Sequence, residues 1–374
     1  MIYVSIIFFI YIITIGIFII GFDNVKEYIS REMVSKTEFT IVIPFRNEVK
    51  NLPRLLESIN ALNYSRVLTE FIFIDDESTD DSVNILKTFI IENNQINIKI
   101  LKNVRVSNSP KKDAISTALK GDSKEWIITT DADCLLPKEW LKTIDDFIQK
   151  NECNMVVAPV TYVSDGSFLH QFQLLDFLSL QASTISGFGL QTPFLCNGAN
   201  LAYKKEIFEK VNGFKNNNSI ASGDDIFLLE KFLQLNPDKV KYLKSKNAVV
   251  QTFPVNSFKQ LVHQRVRWAS KTANYSLTFG KIVGINIFAG NSIIVISPLL
   301  FFYNIISLST ATSYLILKLF FDYILLEKAG RFHKQKLPFN NYLTSSLLYP
   351  FFTIFIVLKS LFSNYNWKGR SFKK

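Results

Sequence analysis

Two long stretches of this chain contain no charged side chain, and they constrain its fold more than any other feature. Residues 1–22 carry no Asp, Glu, Lys or Arg, and neither do residues 282–317. A helix needs ~20 predominantly apolar residues to cross the hydrocarbon core of a bilayer. The first stretch therefore predicts one membrane span, and the second is long enough for one span and the start of another.

The N-terminal stretch, residues 1–22, is predicted to be a retained transmembrane anchor. It has no basic region ahead of its apolar residues, and no small-x-small cleavage site follows it. The alternative is a signal peptide that is removed.

Residues 281–362 are predicted to form a C-terminal transmembrane region of two or three helices. Its middle segment contains Lys318 and Asp322, a pair four residues apart. Either that segment is not a full span, or Pro350 bends the last segment into a re-entrant shape. A basic tail, residues 363–374, follows.

The chain is basic, with 42 Lys and Arg against 32 Asp and Glu and a net charge of +10. The cations are scattered among acids and are dense near the apolar ends. Attraction to anionic lipid and the positive-inside rule explain this pattern more simply than nucleic acid does. We therefore expect a membrane partner and no nucleic acid.

Between the apolar ends, residues 37–252 alternate between strand-like and helix-like hydrophobic spacing. The apolar runs typical of strands are residues 39–44, 71–74, 96–101, 126–130 and 155–163. The helix-like stretches are residues 51–62, 81–92, 112–120 and 137–150. This alternation predicts an α/β fold with a mainly parallel sheet and helices on both faces.

Polar residues accumulate where three of these strands end. The sequences are "IVIPFRNE" at 41–48, "FIFIDDESTDDS" at 71–82 and "TTDADC" at 129–134. Ligands bind beyond the carboxyl ends of the strands in such sheets. Each sequence alone could be a turn or a helix cap, but three on one edge indicate a binding site.

Asp131 and Asp133 stand one residue apart after a buried strand, where two carboxylates repel each other. Their oxygens suit Mg²⁺ or Mn²⁺. Such a cation usually completes its shell with substrate phosphates, which points to a nucleotide diphosphate. Asp75 and Asp76 could accept hydrogen bonds from a base or ribose. The sequence contains no Walker loop or dinucleotide fingerprint.

Two further sequences lie later in the chain. In "SGDDIFLLEKF", residues 222–232, Asp224 and Asp225 open an apolar helix, where first-turn acids also favour the helix dipole. In "HQRVRWASK", residues 263–271, basic residues fit an amphipathic helix at the membrane surface, within residues 253–280.

Together these sequences resemble the family-2 glycosyltransferases of GT-A fold over about residues 38–270. The similarity is strongest to the membrane-integrated branch that includes cellulose and hyaluronan synthases and ceramide glucosyltransferases. The resemblance implies a nucleotide-sugar donor and a divalent metal, Mg²⁺ or Mn²⁺.

The resemblance also assigns roles to matching residues. On the donor side these are Pro44, Arg46 and Glu48 beside the base, Asp75 and Asp76 at uridine, Lys112 at the nucleotide, and the DxD pair of Asp131 and Asp133, with Asp133 the direct metal ligand. On the acceptor side they are the Gly198–Asn200 loop, Asp224 with Asp225 as general base, and the QxxRW residues Gln264, Arg267 and Trp268. Family members often carry Glu where Asp224 stands.

The implied reaction is an inverting transfer of one sugar to a lipid-linked acceptor, in glycolipid or cell-envelope polysaccharide biosynthesis. A processive polysaccharide synthase is the alternative, followed by a non-catalytic membrane scaffold and a nucleotidyltransferase. The implied location is the bacterial inner membrane with the catalytic domain in the cytoplasm. Three C-terminal spans would then place the basic tail outside, against the positive-inside rule, whereas two would place it inside.

Replacing Arg267 by Lys is expected to lower sugar-transfer turnover at least about tenfold, although the charge is kept. A guanidinium can pair with a phosphate through two parallel hydrogen bonds, and an ammonium cannot. The measurement is steady-state turnover of the full chain, and near-normal turnover in Arg267→Lys would contradict the assignment.

Overall fold

A computed structural model describes residues 2–31, 34–121, 123–215, 223–271 and 275–362, and the backbone of 365–367 and 370–372. The chain divides into two compact units. The α/β unit comprises Lys26–Val163 and Cys196–Phe253. The helical unit comprises Met1–Val25, Ser164–Leu195 and Pro254–Lys374. The predicted boundaries at residues 37 and 252 enclose Ser164–Leu195, which the compact α/β unit leaves out.

The elements are numbered in chain order. The helices are α1 Ile2–Asn24, α2 Leu52–Asn60, α3 Ser82–Glu92, α4 Pro110–Leu119, α5 Trp140–Lys150, α6 Phe168–Gly189, α7 Lys205–Lys210, α8 Asp224–Leu235, α9 Phe258–Ala269, α10 Thr278–Phe302, α11 Leu308–Phe332 and α12 Phe339–Phe362. The strands are β1 Phe39–Phe45, β2 Thr69–Asp75, β3 Ile98–Lys102, β4 Trp126–Thr129, β5 Met155–Val157, β6 Val160–Tyr162, β7 Leu201–Lys204, β8 Val240–Tyr242, β9 Val250–Thr252, β10 Tyr365–Trp367 and β11 Arg370–Phe372.

The α/β unit is built on a seven-stranded sheet with strand order β3-β2-β1-β4-β7-β5-β8. Helices lie on both sides of this sheet, which explains why β1, β2 and β4 are continuous buried runs rather than alternating ones. Strands β1, β2, β3 and β4 pair in parallel, as do β5 and β8. The predicted mainly parallel α/β sheet is therefore confirmed.

Strand β7 is the exception, because it runs antiparallel to both β4 and β5. Its first residue, Leu201, pairs with Thr129 at the end of β4. The loop that precedes β7 therefore reaches the same edge of the sheet as the carboxyl ends of β1, β2 and β4.

The predicted single strand over residues 155–163 was wrong. The structure divides it into β5 in the main sheet and β6, which pairs with β9 in a separate two-stranded sheet. Pro159 lies between them and has no backbone N–H to donate to a continuing ladder. Its carbonyl instead accepts a hydrogen bond from the Asn200 amide at 2.8 Å.

Asn200 holds three segments of the α/β unit together from a fully buried position. Its amide nitrogen donates to the Pro159 and Ala248 carbonyls, both at 2.8 Å. Its amide oxygen accepts from Trp140 Nε1 at 2.9 Å. The amide thus fixes the start of β7 against the neighbouring segments.

In the described part of the chain, four helices, α1, α10, α11 and α12, are long and apolar enough to cross a membrane by length and composition. Helix α11 continues through Lys318 and Asp322, and α12 continues through Pro350. Within the helical unit, Lys318 Nζ lies 2.5 Å from Asp322 and Tyr11 donates to Asp322 at 2.6 Å. The charged pair is therefore neutralised inside the bundle.

Helix α6 was not predicted, although it spans 22 residues. It packs against α1 through glycines: a Cβ on Gly189 would lie 1.8 Å from the Gly21 carbonyl oxygen. Ser186 Oγ also donates to the Phe18 carbonyl at 2.6 Å. Small residues of this kind let two helix backbones approach closely.

The predicted basic tail is described only as the backbone of the β10–β11 hairpin. Its residues 363–364, 368–369 and 373–374 lie outside the described chain, as do residues 272–274 of the predicted interface helix and Ser222. That segment contains α9, which begins after a Ser257 cap that accepts from the Gln260 N–H, and the first residues of α10, which begins at Thr278.

Asn200→Ala is expected to lower the free energy of unfolding by about 2–4 kcal/mol, because it removes the hydrogen bonds that the buried Asn200 amide makes with two carbonyls and an indole N–H. The measurement is thermal unfolding of the purified chain in detergent. Asn63→Ala is the matched control, because Asn63 is exposed and contacts only Glu139 through its side chain. Equal stability of the two variants would contradict the role given to Asn200.

Candidate active site

The acidic residues at the sheet edge surround one lysine. Lys111 lies in the first turn of α4, which follows β3 and so begins at the same edge. Its Nζ is 2.6 Å from Asp131 Oδ1 and 3.4 Å from Asp224 Oδ2. The Lys111 side chain is only 17% exposed, against 39% for Asp131 and 11% for Asp224.

The electrostatics of this cluster favour the charged lysine. Burial acts to lower the pKa of Lys111, but Asp131, Asp224 and Asp225 outweigh burial and raise it above its usual value. Lys111 therefore stays protonated through the whole physiological pH range. It supplies the cation that the sequence requires beside the aspartates at the end of β4.

Asp224 and Asp225 occupy the first turn of α8, after an N-cap at Gly223 with φ of 82°. Carboxylates are stabilised there by the helix dipole. Asp225 accepts from its neighbour Ile226 N at 2.8 Å and from Gly198 N at 3.2 Å. The half-buried carboxylate is thus held at a fixed position beside the loop before β7.

Gly198 lies beside Lys111 and Asp224, at a position with little room for a side chain. Its carbonyl accepts from Thr129 Oγ1 at 2.8 Å, which fixes the loop to the end of β4. A Cβ at this position would lie 3.1 Å from Asp224 Oδ2 and 3.2 Å from Lys111 Nζ. The absence of a side chain lets Lys111 reach both Asp131 and Asp224.

Asp131 and Asp133 fit a hard divalent cation by chemistry and exposure, since both are carboxylates that solvent partly reaches. The thiol of Cys134 lies 3.9 Å from Asp133 Oδ1. Among the residues that the structure describes, no group of three or more His, Cys, Asp or Glu side chains could hold a metal. A cation here would need further ligands, such as phosphate oxygens and water.

Lys112, which the resemblance assigns to the nucleotide, has different surroundings from Lys111. It is 1% exposed, and its Nζ lies 4.8 Å from the centre of the Phe227 ring. Its nucleotide role stays a prediction. The two lysines are adjacent in the sequence, which does not show which one contacts the acidic residues.

The predicted base-binding residues meet at the ends of β1 and β2. Asp76 is buried and accepts from Asn103 Nδ2 at 2.7 Å, with Arg105 Nη1 at 3.4 Å. Arg46 Nη1 donates to the Asp76 carbonyl at 2.6 Å. Asp75 is half-exposed, so of the acidic pair it is the one that solvent reaches more readily.

The structure places Pro44 half-buried in β1, and Glu48 is buried just after that strand. Glu48 accepts from Asn51 Nδ2 at 2.6 Å. Sequence reasoning missed Asn103 and Arg105. Arg105 Nε also lies 3.4 Å from Asp113 in α4, so this arginine joins Asp76 to the helix that carries Lys111.

Gln264, Arg267 and Trp268 belong to α9 in the helical unit. Their neighbour Arg265, expected among the basic residues of a membrane-surface helix, is instead buried and pairs with Asp176 of α6 through Nε at 2.5 Å. Its guanidinium also lies 4.1 Å from the centre of the Trp268 ring. A buried ion pair and a stacked guanidinium therefore fix this end of α9.

The chain belongs to the glycosyl transferase family group 2, whose model matches residues 126–357. The glycosyl transferase family 2 model also matches residues 40–211. Together these matches cover every predicted site residue.

Two curated relatives are similar in sequence. The poly(ribitol-phosphate) beta-N-acetylglucosaminyltransferase TarS of Staphylococcus aureus is 27% identical over 34% of this chain, a match that spans only 22% of the length of TarS. The glycosyltransferase GlyG of Streptococcus pneumoniae is 24% identical over 57% of this chain and 73% of its own length.

A solved structure shares the fold. The mannosyltransferase PcManGT from Pyrobaculum calidifontis, solved in complex with GDP-Man and Mn²⁺, is 15% identical with a TM-score of 0.60. The likeness covers 96% of this chain and 97% of that one. It confirms the predicted GT-A fold.

Gly198→Ala is expected to lower turnover about tenfold or more with little loss of stability, because an added methyl displaces Asp224 and Lys111 by a few tenths of an ångström. Gly121→Ala is the matched control, since a Cβ there meets nothing within 4 Å. The measurements are steady-state turnover and thermal unfolding of both variants. Unchanged turnover in Gly198→Ala would show that the spacing of this cluster is not critical.

Proposed function

We propose that this chain is an inverting glycosyltransferase that moves a sugar from a nucleotide-diphospho-sugar to a lipid-linked acceptor at the membrane. The observation that carries the proposal is the cluster of Asp131, Asp224 and Asp225 around Lys111 at the binding edge of a GT-A sheet. Membership of the glycosyl transferase family group 2 and four candidate spans support it.

In the proposed reaction Asp225 is the general base. Its carboxylate takes the proton of an acceptor hydroxyl as that oxygen attacks the anomeric carbon of the donor sugar. The bond from that carbon to the diphosphate breaks in the same displacement, and the configuration inverts. The Gly198 N–H and the first turn of α8 hold Asp225 in place for this step.

Asp133, with Asp131 beside it, would hold Mg²⁺ or Mn²⁺, which supplies charge neutralisation to the departing diphosphate when bound. Lys111 adds a fixed positive charge at the same edge. Asp75, Asp76, Arg46, Glu48 and Pro44 are proposed to form the nucleotide side of the site, and Lys112 the adjoining part. Gln264, Arg267 and Trp268 of α9 are proposed to take part in the reaction, as the family resemblance implies.

We propose UDP as the nucleotide carrier, in keeping with the implied role of Asp75 and Asp76. The relatives do not agree on one donor, since TarS is named for N-acetylglucosamine and PcManGT was solved with GDP-Man. The acceptor is proposed to be a membrane lipid because four helices could hold the chain in a bilayer. The proposed location is the cytoplasmic face of a bacterial plasma membrane.

Asp225→Asn is expected to lower nucleoside diphosphate release at least about a hundredfold, because the amide cannot accept the acceptor proton. The measurement uses the full chain in detergent with lipid extract, Mn²⁺ or Mg²⁺, and panels of UDP-, GDP- and dTDP-sugars. Asp238→Asn is the matched control, because Asp238 is exposed on a short turn.

Three outcomes would redirect the proposal. Pyrophosphate in place of nucleoside diphosphate would identify a nucleotidyltransferase. Absence of both release and nucleotide binding would favour a non-catalytic scaffold. Products carrying many added sugars would identify a processive polysaccharide synthase.

A further inference from the structure

Lys111 is paired with Asp131, the carboxylate that the proposed function assigns to the donor and its metal. Its Nζ lies 2.6 Å from Asp131 Oδ1, closer than its 3.4 Å approach to Asp224. The Asp131 side chain is 39% exposed, against 11% for Asp224. A cation from solvent can therefore reach Asp131, where it would find an ammonium already paired with the carboxylate.

We infer that Lys111 is a built-in counter-cation that competes with the divalent metal for Asp131, so that the metal binds together with the donor diphosphate and weakly without it. This inference rests on the proposed function. It assigns to Lys111 control over the order of binding, in addition to a fixed charge in the site.

The physical basis is repulsion between two cations that share one carboxylate. A divalent ion bound by Asp131 and Asp133 would lie within a few ångströms of the Lys111 ammonium, where like charges strongly oppose each other. The donor changes this balance, because its diphosphate brings negative charge that both cations can share. Metal and donor then favour each other's binding, which is reciprocal coupling.

The surroundings of Lys111 allow it to give up Asp131 without losing all its partners. Asp224 and Asp225 both act on its ammonium from the first turn of α8. Gly198 keeps the space between them clear of side-chain atoms. Lys111 can therefore shift toward α8 and remain paired while Asp131 turns to the metal.

The test is Mn²⁺ binding to the full chain in detergent, followed by the electron paramagnetic resonance signal of free Mn²⁺, with and without UDP or GDP. In the wild-type chain, nucleotide diphosphate should tighten Mn²⁺ binding. In Lys111→Met, nucleotide-free Mn²⁺ binding should tighten at least about tenfold, because the competing charge is gone. The nucleotide should then add less to Mn²⁺ affinity than it does in the wild-type chain.

Three controls accompany the test. Lys111→Arg keeps the charge and should keep weak nucleotide-free binding. Lys138→Met makes the same substitution at an exposed lysine of the same unit and should change nothing. Asp133→Asn should weaken Mn²⁺ binding both in the wild-type chain and in Lys111→Met. That loss would show that the Mn²⁺ ion being measured binds at the DxD pair.

Lys111→Met leaves carboxylates without their cation and should melt at a lower temperature that Mn²⁺ restores. If the single variant does not fold, Lys111→Met with Asp224→Asn removes one carboxylate as well and serves the same measurement. Equal or weaker nucleotide-free Mn²⁺ affinity after loss of Lys111 would overturn the inference while leaving the metal site in place. Absence of Mn²⁺ binding in every protein would overturn both the inference and the proposed metal.

Discussion

Several carboxylates lie close together at one edge of the sheet in the α/β unit, and they need a positive charge among them. Asp131 follows a fully buried strand, and Asp224 and Asp225 open a largely buried helix. Without a cation their mutual repulsion and loss of hydration would oppose folding. Lys111 meets this requirement from α4, and the antiparallel direction of β7 lets the Gly198 loop close the cluster.

The same requirement links structure to the proposed chemistry. Charges held in a partly buried place act on a substrate more strongly than they would in water, and they need no rearrangement as the reaction proceeds. A nucleotide diphosphate brings negative charge and a divalent ion brings positive charge. When the two bind together, the net charge of the site therefore stays nearly unchanged. The helical unit has its own neutralised pairs, Arg265 with Asp176 and Lys318 with Asp322.

Much of this could be predicted from sequence, and the exceptions have physical reasons. The strand-end acids were visible because Asp131 and Asp133 interrupt an apolar run. The direction of β7 could not be predicted, since an antiparallel strand and a parallel strand have the same local sequence pattern. The choice of Lys111 over Lys112 depends on the direction in which each side chain leaves α4, which adjacent positions do not reveal. Helix α6 could not be predicted from an apolar pattern, because its buried face includes polar residues such as Gln173 and Asp176.

The anomeric configuration of the transferred sugar tests the central claim most directly. It can be read by proton nuclear magnetic resonance on the glycosylated lipid made by the full chain from a donor of known configuration. A single displacement with Asp225 as base predicts one product, with the configuration opposite to that of the donor. A product that retains the donor configuration would require two displacements or another mechanism, and it would contradict the role given to Asp225.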